Sequence, residues 1–263
     1  MMLFRHEWAK GRKSFFLWTF STLLTLGIFL FMYPSIIAEK EAYEEILSVY
    51  PPEILKAFSI QLDTLLSFHG FLGYVYGYIL LALCIYAMLL GLKAFGQEIT
   101  SLTADFLFTK PMKRARIYLE KVLFGCTNLL LLNGSLFLVV LVLEYTFTKT
   151  LDINTTFMML FTSFLLQILF YFMGLLLGIL RRKIRYFTTM AISIVSGFYL
   201  VSMMSQLTER SFLRIVSPFG YFDHQQLLQK GAYEGSYFLL TLSLILFFLL
   251  TTLLALEKKE FPS

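Results

Sequence analysis

The chain has 263 residues, 58% of them hydrophobic and only 15% charged, with a mean hydropathy of +0.73 and 29 phenylalanines. Soluble domains carry about 25% charged residues, and one core of this size cannot bury so much aromatic surface, so a water-soluble globular fold is excluded and the bilayer is the solvent. The net charge of +5 does not point to nucleic acid, because the basic residues cluster beside apolar stretches.

The first element is amphipathic. Phe4, Trp8, Gly11 and Phe15 recur at i, i+4, i+7 and i+11, with Arg5, Arg12 and Lys13 over the remaining surface. That spacing predicts an interfacial helix feeding the first span, marked by Phe4, Trp8 and Arg12, with Trp8 suited to the headgroup region. A topogenic anchor and a mechanical elbow fit it equally well.

Six stretches without Asp, Glu, Lys or Arg are long enough to cross a membrane: 15–32, 70–92, 122–143, 156–180, 186–207 and 236–256. They are continuously apolar, without the alternation of a barrel strand. An all-α integral membrane fold with six transmembrane helices is therefore expected, as one domain over residues 1–263. The first stretch reads as a retained span and not a cleaved signal, because it is long and lacks a small-x-small cleavage site. Two larger segments, 33–69 and 208–235, fall on the side opposite the N-terminus.

The Lys and Arg distribution orients the chain. Sixteen of the 22 lie in the N-terminal segment, the 93–121 connection, the 181–185 loop and the tail, whereas the opposite side holds 11 of the 17 acids. The positive-inside rule then places both termini in the cytoplasm.

Between the second and third spans runs "GQEITSLTADFLFTKPMKRARIYLEK", Gly96 to Lys121. Phe95, Ile99, Leu102 and Phe106 recur at helical spacing, and Gln97, Glu98, Ser101 and Asp105 occupy other faces. Pro111 ends the helix, and Lys113, Arg114 and Arg116 open the next one. Basic residues here fix topology, and an amphipathic helix also lies on lipid. The acid-and-hydroxyl face, however, is wasted on an anionic surface and suits a soluble partner.

Catalytic and metal chemistry find little support. Cys84 and Cys126 fall inside apolar runs, and His6, His69 and His224 are too scattered to ligate a metal. No Gly-x-x-x-x-Gly-Lys-Ser/Thr phosphate cradle occurs. Glu44-Glu45 and His69 lack the spaced partners an intramembrane enzyme requires, and charge-free spans disfavour an ion-coupled secondary transporter.

Within the spans, Asn128, Asn133, Gln167 and Gln206 are polar. They line a translocation path or bond neighbouring helices, the second being the commoner role. Gly174-x-x-x-Gly178 and the series Gly70, Gly73, Gly77 permit close helix approach, within one chain or between two.

Residues Glu98, Ser101, Thr103, Leu107, Pro111, Arg114 and Lys121 together resemble the loop after the second span in the membrane subunit of type-2 ABC transporters. That family usually carries Gly-Thr where this chain has Leu102-Thr103-Ala104. "YPPEILKAFSI" (Tyr50–Ile60) with "FHGFLG" resembles the segment before the second span of bacterial drug- and peptide-export permeases. "SPFGYFD" (Ser217–Asp223) resembles an element between their last two spans. The resemblance implies a permease in the bacterial cytoplasmic membrane, exporting an amphipathic, lipidic or peptide-like compound by alternating access. Its coupling helix, with Gln97, Glu98, Ser101, Leu102, Asp105, Pro111 and Arg114, would dock one of two separate ATPase subunits. ATP and Mg would bind those partners and not this chain. A second permease subunit, identical or homologous, would pack on the first and fifth spans, where Ser193, Ser196 and Gly197 are small. A non-transport immunity or sensory protein, or a secondary transporter, shares the architecture and stays open as an alternative.

Overall fold

The computed structural model describes residues 2–51, 66–100, 114–181, 184–208, 211–222, 224, 227–228 and 231–259. Helix α1 (Met2–Leu30) is followed by the short α2 (Tyr33–Ala38) and α3 (Lys40–Ser48). Long helices α4 (Phe68–Thr100), α5 (Arg114–Thr148), α6 (Ile153–Leu180) and α7 (Phe187–Thr208) come next. The short α8 (Ser211–Val216) and a 3-10 turn at Pro218–Gly220 precede the last helix, α9 (Gly235–Lys258). Six helical segments are long and apolar enough to cross a bilayer: Leu3–Ala38, α4, α5, α6, α7 and α9. The all-α, six-span expectation is borne out, and the described residues contain no strand.

Helices α4 and α5, with 33 and 35 residues, are each about 50 Å long, against about 30 Å of hydrocarbon. They extend well past their apolar stretches, and their charged ends fold into the protein. Helix α1 likewise runs without a break from the amphipathic segment into the first span.

The centre of the bundle is the α4–α6 pair, which makes the most extensive helix contact among the described residues. Glycines explain the closeness. A Cβ built on Gly174 would stand 2.5 Å from the Met88 carbonyl oxygen, and one on Gly178 would stand 2.8 Å from that of Leu92. Gly91 faces Gly174 across the same seam. The Gly174-x-x-x-Gly178 motif thus seats α6 on α4 of the same chain. Helix α1 packs along α5 in the same direction, from Gly11 beside Phe124 to Phe31 beside Phe147.

Both termini lie at one end of this bundle. Arg114 Nη1 donates to the carbonyls of Leu256, Glu257 and Lys259 at 3.1, 2.9 and 2.8 Å, and Glu120 Oε2 accepts from the Leu3 and Phe4 amides at 3.0 and 3.1 Å. Charged side chains there tie off α1, α5 and α9. The outward faces of α1 (Phe16, Phe20, Leu24, Ile28) and α9 (Leu239, Leu242, Leu246, Leu250) are exposed and apolar, as lipid contact requires.

The segment between α7 and α9 is not a surface loop. Ser217 is wholly buried, and its hydroxyl donates to the Phe198 carbonyl at 2.6 Å. Phe198 lies ten residues before the end of α7 at Thr208, which is about 15 Å down the helix. Phe219 then packs on Phe170 and Tyr199, with ring centroids 5.4 and 5.5 Å apart. Arg214 holds the turn from outside: it donates to the Gly220 carbonyl at 2.8 Å and to Glu234 at 2.9 Å, and lies 4.2 Å from the Tyr237 ring. The chain here dips into the bundle and returns.

Candidate functional site

At the terminal end of the bundle a polar hub replaces the simple topogenic charges expected there. Lys121, on the second turn of α5, is wholly buried. Its ammonium donates to Glu7 Oε1 of α1 and to Glu98 Oε1 of α4, each at 2.7 Å, and to the Ala94 carbonyl. The Phe95 ring lies 5.1 Å away. Next to it, Glu120 is 6% exposed and caps the first amides of α1, while Arg116 approaches from one turn back at 3.5 Å. Tyr171 of α6 donates to the Lys121 carbonyl at 2.8 Å. Burying an ion costs several kcal/mol unless it is paired and hydrogen-bonded, and here α1 and α4 both supply partners to the ammonium.

This hub relocates several residues of the expected docking helix. Glu98 is ion-paired within the chain, with its side chain 17% exposed. Arg114 is spent on the carbonyls that end α9. Gln97 is half-buried on the last turn of α4. The Thr100 hydroxyl accepts from the Ile184 amide at 3.2 Å, joining α4 to the α6–α7 connection. Ser101, Leu102, Asp105 and Pro111 lie outside the described residues.

The N-terminal stripe also has a definite neighbour. Phe4 and Trp8 meet Phe124 of α5 edge-on at 6.3 and 6.1 Å, and Trp8 contacts Phe15 at 5.5 Å. The stripe therefore packs on α5, while Arg5, Lys10, Arg12 and Lys13 are exposed. The 3.6-residue period marked the buried face, but nothing local in the sequence says whether lipid or protein covers it.

Two of the in-span amides are matched to each other. Asn133 and Gln167 exchange two hydrogen bonds between α5 and α6, at 2.9 and 3.0 Å, both fully inside the bundle. Asn128 Oδ1 accepts from the Tyr86 hydroxyl of α4 at 2.7 Å. These bonds join helices in lipid, where no water competes for them. Ser193 and Gly197 are exposed on α7 and Ser196 is half-buried; a Cβ on Gly197 would meet nothing within 4 Å.

At the opposite end Glu144 is 2% exposed and gathers the α5–α6 turn. It accepts from the Asp152 amide at 2.7 Å and the Thr156 hydroxyl at 3.0 Å, with His69 Nε2 3.5 Å away. Asp152 itself caps α6 by accepting from the Thr155 amide and hydroxyl at 3.1 and 2.6 Å. Those bonds to Thr155 hold its carboxyl below the usual carboxylate range.

A groove of about 440 Å³ runs between α1 and α4. Trp18, Ser21, Thr22, Thr25 and Phe29 form one wall, and Tyr74, Val75, Tyr78, Ile79 and Ala82 the other. The lining carries no charge, and its polar atoms are hydroxyls and one indole on largely apolar walls. The Thr22 hydroxyl is already bonded to the Trp18 carbonyl at 2.8 Å. The in-span amides singled out from the sequence do not line this groove; hydroxyl residues do. Their signal was present as Ser21/Thr25 and Tyr74/Tyr78, two i, i+4 pairs, but only the packing of α1 on α4 brings the pairs face to face.

A family model described as ABC-2 family transporter protein matches residues 1–261. No curated protein and no solved structure matches the chain.

Proposed function

The chain belongs to the ABC-2 family of transporter proteins, a family of membrane subunits that work with ABC ATPases, and from that premise we propose that it is one half of the permease of an ATP-driven exporter. Two ATPase subunits bind ATP and Mg and close on hydrolysis-competent nucleotide. The 96–121 segment receives that movement, and a second permease subunit, identical or homologous, faces the groove between α1 and α4. The positive-inside distribution supports a cytoplasmic position for the termini and the hub, in a bacterial cytoplasmic membrane.

One observation carries the substrate reading. The α1–α4 groove has an uncharged, apolar wall dotted with hydroxyls, which suits an amphipathic, lipidic or peptide-like molecule and gives a small ion no ligand set. The small residues Ser193, Ser196 and Gly197, of which Ser193 and Gly197 are exposed and Ser196 half-buried, support a close second helix on α7.

The test is transport-coupled ATP hydrolysis by the complex captured on the tagged chain from its native membranes and returned to liposomes. Amphiphilic peptides or lipids stimulate hydrolysis, and Thr25→Trp, which fills the groove, removes the stimulation while leaving the basal rate. Stimulation by sodium alone, with no response to amphiphiles, contradicts the reading. For docking, Asp105→Arg is the informative reversal. Glu98→Arg weakens capture on the same logic, but it also sets a second cation against buried Lys121, so it disturbs the fold as well.

A further inference from the structure

Lys121 does more than satisfy a buried charge. An ammonium has three protons to donate, and all three are assigned: one to Glu7 of α1, one to Glu98 of α4 and one to the Ala94 carbonyl of α4. Its own carbonyl accepts from Tyr171 of α6, and its neighbour Glu120 holds the first amides of α1. Two consecutive residues of α5 thus grip the start of α1 and the end of α4. Other charged groups near them include Lys10, which bears on Glu98, Lys93, which Lys10 faces, and Arg116, which faces Glu120. Glu98 stands three residues before Ser101, where the expected docking helix continues. A displacement of the end of α4 cannot detach Glu98 without leaving a buried ion short of a partner, a strongly unfavourable state.

We propose that Lys121 is the positioning residue of the transport cycle that makes the end of α4 and the N-terminal helix move as one body. The inference rests on the permease reading for its purpose, but the mechanical link stands on the geometry of this chain alone. Because Nζ bridges carboxylates on two different helices, a change at Glu98 is felt at α1 through the cation.

The experiment is hydrogen–deuterium exchange on the full chain in nanodiscs of phosphatidylethanolamine and phosphatidylglycerol, with no ATPase present. Glu98→Gln, a change on α4, lowers protection of amides 3–12 on α1 by about three- to tenfold, and Glu7→Gln lowers that of amides 94–100 on α4 by a similar factor. In a Lys121→Met background neither substitution has a further effect on the other helix. A role confined to holding the fold lowers thermal stability in all variants while Glu98→Gln leaves amides 3–12 unmoved; that result overturns the proposal, as does an undiminished cross-helix effect with Met at 121. Should Lys121→Met fail to insert, the two glutamine variants decide the matter, since each keeps the cation and one carboxylate. Failure of amphiphile-stimulated hydrolysis would sink the permease reading and leave this link standing.

Discussion

Replacing Gly174 by alanine asks the α4–α6 seam for room it does not have. The new methyl carbon would lie 2.5 Å from the Met88 carbonyl oxygen and 3.0 Å from the Leu92 amide nitrogen, where ordinary contact begins at 3.4 Å. Both obstacles are backbone atoms, so no rotamer change relieves them, and the helices must separate by roughly 1 Å along the most extensive helix interface among the described residues. Overpacking of this kind costs about 1–3 kcal/mol, which for a chain of this length lowers Tm by about 3–10 °C. The assay is size-exclusion of the detergent-solubilised chain after stepwise heating. Gly77→Ala and Gly197→Ala are the controls, because a Cβ at either position meets nothing within 4 Å; they hold or raise Tm. Equal stability of Gly174→Ala and the controls would refute the claim that α4 and α6 are seated on their glycines.

The remaining predictions concern polar groups. Asn133→Leu strands the Gln167 amide inside the bundle and costs about 1–2 kcal/mol, whereas the double change to leucine recovers most of it, as heating the solubilised variants reads directly. Arg214→Met releases the dipping segment from Gly220, Glu234 and Tyr237, and limited proteolysis cuts between 209 and 235 at least several times faster than in the wild type. Asp152→Ala removes the α6 cap at a cost of about 0.5–1 kcal/mol. Because the folded carboxyl titrates below its unfolded value, that stability is fully present above the unfolded pKa and is lost as pH falls through the folded one. The Tm gap between wild type and variant therefore stays constant from neutral pH into the mildly acidic range and closes only in strong acid.

Much of the architecture was legible from the sequence because lipid removes options. Continuous apolar runs have one stable backbone solution, and the six runs become six helices. The Gly174–Gly178 spacing likewise announced a close approach, although its partner, Gly91 with Met88 and Leu92, is defined only by the fold. What stayed hidden depends on where helices end. Lys121 enters the sequence reading only through the charge count and the family loop motif, and Glu120 and Glu144 carry no spacing signal of their own; the structure buries all three because α5 is longer than its apolar stretch. Ser217 sits in the 208–235 segment expected on the side opposite the N-terminus, yet it is wholly buried inside the bundle. Glu98 read as a surface acid because periodicity reports which face a residue occupies and not which cation waits there.

The central claim is that this chain is the membrane half of an ATP-driven machine, engaged through the segment between α4 and α5. The most direct measurement is vanadate-sensitive ATP hydrolysis in the material captured from native membranes by the tagged chain, compared with the same capture by Asp105→Arg. The account predicts hydrolysis with the wild-type chain and a loss of most of it with the variant, at equal amounts of inserted, monodisperse permease. Hydrolysis absent from the wild-type capture, or undiminished by Asp105→Arg, would contradict it.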